Sequence, residues 1–390
     1  MKIEILDDNL NKRVYDSNDL KSYNTGVQYD HATSKERSIL EILSAYQSDV
    51  KQVLYDQSNV AIKELVKTFN KEMFDEVDFS MLLFTSGTQG KPVGAFKTKE
   101  NLESEILELV KIITPYHPKK VISAVPFIHI YGILTSVLLP LRLELDLFFK
   151  EHFLPHDLLS CITPHSIVVV TPLYIKSLLR LAECRDLSKS VFISSTAPLD
   201  SQIAKEFIAK FNTNLIQLFG STETGGIAYK RKDEELWTPI NGVETALDEN
   251  SLLQINSPHV SPLLYENGFK NTNGMIKSFD YVEFSGEKFK IIGRNSQIFK
   301  VAGKRYSTLH VEEILETIKG IEKAFVTIVY TKGALKDESL CIYLQLRHGV
   351  SFKEVRKVLK EFIGNIKIPI EFKVVEKIPT TLLGKKIMPI

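Results

Sequence analysis

Between Val121 and Phe219 the chain alternates short β-rich runs with helix-patterned stretches, and few features restrict a fold more. Val121–Val125 opens the series; Ile167–Val170 precedes a helical pattern over 173–183, Val191–Ser194 precedes another over 199–211, and Leu215–Phe219 follows. Strands separated by helices lie parallel, because parallel neighbours need a long crossover where a tight turn would give a hairpin. The expectation is an α/β protein with mixed or largely parallel sheets flanked by helices. Upstream, residues 35–70 place Ile39, Leu40, Ile42, Leu43 and Tyr46, then Val60, Ile62, Leu65 and Val66, at helical spacing, and the whole stretch reads as helical. A strand at 80–84 leads through a glycine-rich loop to a further helix at about 99–113, with Thr98 as its N-cap and Glu100 and Glu103 at the positive end of its dipole.

From about residue 237 the texture changes. Asn241-Gly242, Asn267-Gly268, Asn273-Gly274 and Ser285-Gly286 are turn signals between strand-like runs, so a β-rich, antiparallel section is expected there. After Gly293-Arg294 a smaller α+β unit begins, read as loop, helix 309–318, strands 323–330 and 339–347, helix 351–363 and strand 370–376. The expected organisation is a large domain over 1–294 and a small, mobile C-terminal α+β domain over 295–390.

The balance of 49 basic against 48 acidic residues, with no basic block, gives no electrostatic footprint for nucleic acid or an anionic membrane. The greasiest stretch, Val121 to Leu141, is broken by Pro126, His129 and Pro140 and is not read as a membrane span. The N-terminus MKIEILDDNLNKR lacks the apolar core of a secretory signal. Cys161, Cys184 and Cys341 are odd in number and scattered, as in a reduced cytoplasmic protein.

Five segments carry chemistry. Thr85-Ser86-Gly87-Thr88-Gln89-Gly90-Lys91-Pro92-Val93-Gly94 follows an apolar strand, and a loop so rich in glycine and hydroxyls suits phosphate. Its spacing is not that of a Walker loop: Thr85 stands at the first glycine and Pro92 at the magnesium-binding hydroxyl, which disfavours a Walker-type phosphotransferase. Phe219-Gly220-Ser221-Thr222-Glu223 is a second loop of this kind, with an acid whose oxygens suit Mg²⁺ between it and phosphate. Asp280, Arg294 and the run to Lys300 and Gly303 form the third; a short acid accepts two ribose hydroxyls, though alone this stretch is a charged hairpin rim. His129 in an apolar run and the Lys385-Lys386 tail complete the set, and alone each reads as a core histidine and a solvated terminus.

Taken in order, these blocks resemble the adenylate-forming superfamily of acyl- and aryl-CoA synthetases, peptide-synthetase adenylation domains and luciferases. The phosphate loop TSGTTGxPKG is matched from Thr85 to Gly94, and the YGxTE block from Phe219 to Glu223. PxxHxxG is matched by Pro126, His129 and Gly132, and a GAPL-type block by Thr196-Ala197-Pro198-Leu199. The ribose aspartate corresponds to Asp280, GRxDxxxKxxG to Gly293, Arg294, Lys300 and Gly303, and PxTxxGK to Pro379, Thr381, Gly384 and Lys385. The resemblance covers about 80 to 387. It implies ATP bound by Thr85, Ser86, Gly87, Thr88, Gly90, Lys91, Thr196, Ala197, Pro198, Phe219, Gly220, Ser221 and Thr222, with ribose on Asp280 and Arg294. Mg²⁺ falls to Glu223 and Thr88, the adenylation contact to Lys385, a substrate gate to His129, and the hinge and thiolation segment to Ser296, Lys300 and Gly303.

The implied activity is ATP-dependent activation of a carboxylic acid, then transfer to CoA or to the phosphopantetheine of a separate acyl carrier protein. No acid lies at Phe127, Ile128 or His129 to meet a substrate ammonium, so a plain acid, aryl or fatty and unsaturated, is expected. Gly225-Gly226 is read as room for its acyl group. Val93 replaces the lysine of the phosphate loop, Gln89 its second threonine, and Ser296 the hinge Asp or Lys; only about 80 residues precede the loop, which reads as a trimmed large domain. Val93 keeps a second reading open, a catalytically weak nucleotide-binding sensor or complex partner.

Overall fold

A computed structural model describes residues 1–9, 11–20, 26–31, 34–85, 92–294, 298–301, 304–330, 338–347, 349–363, 368–380 and 386–389. The chain divides into two compact units, Met1–Thr245 with Ile255–Ile276, and Ala246–Gln254 with Lys277–Ile390.

The first unit holds two sheets. The larger has nine strands in the order Thr238–Pro239, Gly225–Arg231, Asn214–Ser221, Val191–Ser194, Ser166–Val170, Lys120–Ser123, Asp146–Lys150, Lys2–Leu6, Lys12–Asp16. From Asn214–Ser221 to Lys2–Leu6 every neighbour is parallel, and antiparallel strands close both ends. The central strands are buried along their whole length, as Ser166–Val170 and Val191–Ser194 show, because helices cover them. Pro155–Cys161, Pro172–Leu179 and Ser201–Phe211 pack over Phe192, Val168 and Leu215, with the Phe192 and Phe207 rings edge to face at 4.9 Å. Mixed sheets flanked by helices are thus the observed fold class.

The smaller sheet has six strands, in the order Phe269–Asn271, Leu263–Tyr265, Val93–Lys97, Met81–Thr85, Lys51–Tyr55, Val27–His31. Phe74, Phe79, Phe84 and Phe96 form the apolar cluster on one of its faces. The helix Lys99–Ile113 leaves this sheet through a capping box, in which Thr98 and Asn101 satisfy each other's backbone N–H groups.

Three expectations need correction. Residues 35–70 are not helical throughout: the helices are Lys35–Gln47 and Val60–Lys67, and the strand Lys51–Tyr55 lies between them. Val50, Val53 and Leu54 have helical spacing, but Asp49 takes a positive φ of 53° and turns the chain back into the sheet. The glycine loop does not run directly to a helix; it joins two antiparallel strands, with Val93–Lys97 returning before the helix begins. The stretch before the helix Thr308–Glu316 is a hairpin, Ile298–Val301 with Lys304–Ser307, rather than a loop.

The second unit contains a four-stranded sheet that includes the antiparallel pair Met275–Ser285 and Lys288–Arg294. It also holds a three-stranded sheet, Ile321–Tyr330, Glu338–Leu346 and Ile370–Val375, with the last pair parallel and Phe352–Ile363 as the crossover helix. Phe299, Val311, Leu315, Ile342, Leu344 and Leu359 form its core. Among the described residues no helix is long and apolar enough to cross a membrane, and Cys161, Cys184 and Cys341 are free thiols.

Candidate active site

In open α/β sheets, ligands bind where the carboxyl ends of the strands spill into loops. Two of the five chemical segments, and the Thr196-Ala197-Pro198 block, leave the large sheet at that edge. Pro126–Gly132 follows Lys120–Ser123, Thr196-Ala197-Pro198 follows Val191–Ser194, and Gly220–Glu223 sits at the end of Asn214–Ser221. They are tied laterally: the Tyr131 hydroxyl lies 2.9 Å from the Val170 carbonyl and 2.8 Å from that of Ile193, and Ser195 Oγ donates to the Leu218 carbonyl at 2.9 Å. Gly132 is required there, since a Cβ would stand 2.0 Å from the Pro126 carbonyl oxygen.

His129 caps the short helix Ile130–Gly132; burial lowers its pKa, against the pull of Asp56, which favours a neutral imidazole. Thr196 is held at φ +81°, a sparsely populated conformation for a β-branched residue and a common mark of functional turns. Thr196 and Pro198 are exposed, and Ala197 is half-buried.

Glu223 stands in the hairpin turn between Asn214–Ser221 and Gly225–Arg231. The turn is self-bonded: Ser221 N–H donates to Thr224 Oγ1 at 3.0 Å, and Thr224 N–H returns a bond to Ser221 Oγ at 3.1 Å. Thr222 lies half-buried in the same turn, and the Phe219 ring sits 5.5 Å from Trp237. The decisive contact crosses from one sheet to the other. Thr85, the last residue of its strand before the glycine loop, donates its hydroxyl to Glu223 Oε1 at 2.8 Å. The acid of the second loop therefore lies at the mouth of the first. Ser86, Gly87, Thr88, Gln89, Gly90 and Lys91 lie outside the described residues.

Sequence reasoning missed what lies behind this turn. Lys97 is fully buried and donates Nζ to the carbonyls of His259 at 2.6 Å and Glu223 at 3.4 Å. Glu105, 3% exposed, accepts the Gly226 N–H at 2.6 Å, and buried His259 sets Nδ1 3.1 Å from the Gly226 carbonyl. Burial pushes Lys97 down to about 8 against Glu105 and Glu223, and pushes Glu105 up against His259 and Lys97. A Cβ on Gly225 would meet Glu105 at 2.6 Å and His259 at 2.7 Å, and one on Gly226 would meet Glu105 at 2.8 Å. The expectation that these glycines make room for an acyl group is corrected: the space belongs to the Glu105 carboxylate, to Cβ and the main chain of His259, and to Ile240. The one available signal was strand alternation, which puts Lys97 on the same face as Val93 and Ala95.

In the second unit Asp280 and Arg294 are directly opposed across the antiparallel pair, with Arg294 Nε 3.3 Å from Asp280 Oδ1. Asp280 is buried and Arg294 half-exposed. Lys300 lies on the strand Ile298–Val301 opposite Arg305, and Ser296 and Gly303 are outside the described residues. So is Lys385, but its flanks are described: Thr380 and Lys386 form a β-bridge, and Lys386 Nζ reaches Glu312 at 2.9 Å and Glu316 at 2.6 Å.

Among the described residues no three His, Cys, Asp or Glu side chains cluster as metal ligands. One carboxylate with a neighbouring hydroxyl is a hard-oxygen donor set that fits Mg²⁺ completed by substrate phosphates and water.

The profile of the family described as AMP-binding enzyme matches residues 14–256. A mitochondrial malonate–CoA ligase of Bos taurus is 21% identical over 368 residues, covering 78% of this chain and 62% of that protein. A 4-coumarate–CoA ligase of Cereibacter sphaeroides is 27% identical over 233 residues, covering 59% and 52%. The chain spans less than two-thirds of the length of both. Among solved structures, ATP-bound MatB from Rhodopseudomonas palustris superposes with a TM-score of 0.79 at 16% identity, covering 98% of this chain and 93% of that one. The o-succinylbenzoate CoA synthetase of Bacillus subtilis with its acyl-adenylate intermediate gives 0.78 at 18% identity, covering 95% and 88%. These structural likenesses establish the fold.

Proposed function

The chain belongs to the AMP-binding enzyme family, and from that membership we propose that it is an AMP-forming acid–thiol ligase. A carboxylate oxygen attacks the α-phosphorus of ATP, the bond to the leaving pyrophosphate breaks, and an acyl-adenylate results. A thiolate then attacks the acyl carbonyl and AMP leaves. The observation that carries the reading is the bond from Thr85 to Glu223, which joins the phosphate-type loop to the acid loop at the carboxyl edge of the parallel strands.

In this reading residues 85–91 cradle the phosphates, Thr196-Ala197-Pro198 and Phe219–Thr222 border the nucleotide, and Asp280 with Arg294 holds the ribose. Glu223 and Thr88 hold Mg²⁺, whose chemistry when bound is to neutralise charge on the phosphates. Asp280 is suited to its role because it is a buried carboxylate that Arg294 engages at Oδ1. Lys385 is the point charge that meets the charge built up at the α-phosphorus. Residues 295–390 act as the lid that brings it there, pivoting at 294–296, with Ser296, Lys300 and Gly303 in the pivot and thiolation segment.

The absence of an acid at 127–129 favours an uncharged acyl body, aryl or fatty, and this is the proposed substrate class. The acceptor is CoA or the phosphopantetheine of a carrier protein. Val93, directly opposite Thr85, supports the second reading of a nucleotide-binding protein with weak catalysis, since a valine gives the phosphates no charge.

The test is ATP–pyrophosphate exchange with aliphatic, benzoic, cinnamic and amino acids, wild type beside Lys385→Ala. Exchange with one acid class, reduced roughly a hundredfold or more in the variant, is the expected result. No exchange with any acid, while ATP still binds, would transfer the assignment to the binding protein.

A further inference from the structure

Three buried polar side chains from three separate segments converge on the main chain of one turn. Lys97 ends the strand that returns from the phosphate-type loop, Glu105 lies on the helix Lys99–Ile113, and His259 follows Ser257 and Pro258. Their hydrogen bonds go to backbone: Lys97 to the carbonyls of Glu223 and His259, Glu105 to the Gly226 N–H, and the His259 ring to the Gly226 carbonyl. Both glycines of the turn are shaped around this cluster, since a Cβ on either collides with Glu105.

Burying an ammonium and a carboxylate is costly, and well-packed apolar side chains of similar size would hold the same elements together as well. What apolar side chains cannot supply is direction. A donor and an acceptor aimed at particular backbone groups fix how the peptide units of the turn are rotated, and hence where Glu223 projects. Lys97 also sits on the very hairpin whose other strand ends in Thr85, the residue that receives the Glu223 carboxylate. The two strands of one hairpin therefore hold the acid, one at its carboxylate through Thr85 and the other at its main chain through Lys97.

We infer that Lys97 and Glu105 are positioning residues that set the Glu223 carboxylate for Mg²⁺-dependent nucleotide binding. The inference rests on the proposed role of Glu223 at the metal. Groups that orient a metal-binding carboxylate typically weaken metal affinity about 10- to 100-fold when removed.

The test is calorimetric ATP binding in Mg²⁺ and again in EDTA, for wild type, Glu223→Gln and the double variant Lys97→Met/Glu105→Gln. The double variant removes both buried charges together, and glutamine keeps an acceptor for Gly226 N–H. Thermal unfolding reports whether it folds, and Lys97→Arg, which retains charge and donors, is the second variant. The expected result is that Glu223→Gln and the double variant each lose about tenfold or more of the Mg²⁺ enhancement, with affinity in EDTA unchanged, while Lys97→Arg recovers most of it. If Glu223→Gln loses the enhancement and the double variant retains it, the inference fails and the role of Glu223 stands. If Glu223→Gln retains the enhancement, the metal role and the inference fall together. Equal weakening in Mg²⁺ and EDTA in the double variant, or no recovery with a folded Lys97→Arg, would mark the cluster as structural and overturn it.

Discussion

Glu105 and Glu312 are both buried carboxylates with a lysine close by, yet the two regions use the pair differently. Beneath the Glu223 turn, Lys97 and Glu105 both direct hydrogen bonds to main-chain atoms of the turn or its neighbours. In the second unit, Lys386 binds Glu312 and Glu316 directly, while Glu312 also accepts the Val326 N–H at 2.9 Å. The first arrangement grips the peptide of Glu223 itself. The second grips Lys386, the residue after Lys385. Burial raises the pKa of Glu312 against Lys386; burial also acts to lower Lys386, but Glu312 and Glu316 together outweigh it and hold Lys386 up. A third buried acid, Asp30, sets the limit of the comparison, because burial and neighbouring Glu41 push its carboxyl well above the ordinary range with only Arg37 opposing.

The contrast is broken most severely by giving the first turn a side chain. Gly225→Ala puts a Cβ 2.6 Å from Glu105 at φ +68°, and a loss of about 3 kcal/mol is expected in chemical denaturation. Next comes Lys386→Met, which leaves Glu312 buried without its cation at the position paired through its backbone with Thr380. About 2 kcal/mol of stability is expected to go, with a fall in exchange rate but little change in the affinity for ATP. Equal losses in rate and affinity would show that the tail is not held through this pair.

Asp30 supplies the pH test. Its folded pKa is raised, so the native state holds a proton that the unfolded chain has already released, and stability falls as pH rises above the ordinary carboxylate value of 3.8. Asp30→Asn should flatten melting temperature between about pH 5 and 8 and gain on the order of 1.5 kcal/mol at the upper end. A variant as pH-dependent as the wild type would exclude Asp30 as the source. The smallest effect is Thr98→Ala, beside Lys97: loss of the capping box costs about 1 kcal/mol in denaturation.

What could be read without coordinates was local chemistry. Gly274 sits where its turn demands it, at φ +74°, and Thr98 caps its helix as its position beside Glu100 suggests. The central strands declared themselves because full burial makes them continuously apolar. The strand Lys51–Tyr55 did not, because a five-residue run with apolar Val53 and Leu54 satisfies a helical repeat as well. Lys97, Glu105 and His259 were illegible for a different reason. Each taken singly is an ordinary charged or polar residue, and only the packing of distant segments makes them one cluster. The relation of Thr85 to Glu223 was likewise foreshadowed by the loops' chemistry but not by their separation in the chain.

The strand Lys2–Leu6 pairs in parallel with Asp146–Lys150 and antiparallel with Lys12–Asp16. During synthesis, this segment therefore has to wait for well over a hundred residues before its inner neighbour exists. Until then the N-terminal hairpin presents the unpaired backbone of Ile3 and Ile5, residues that end up fully or almost fully buried. A ribosome paused before residue 146 would hold a nascent chain with a sticky edge, and that interval is when this protein would most need a chaperone.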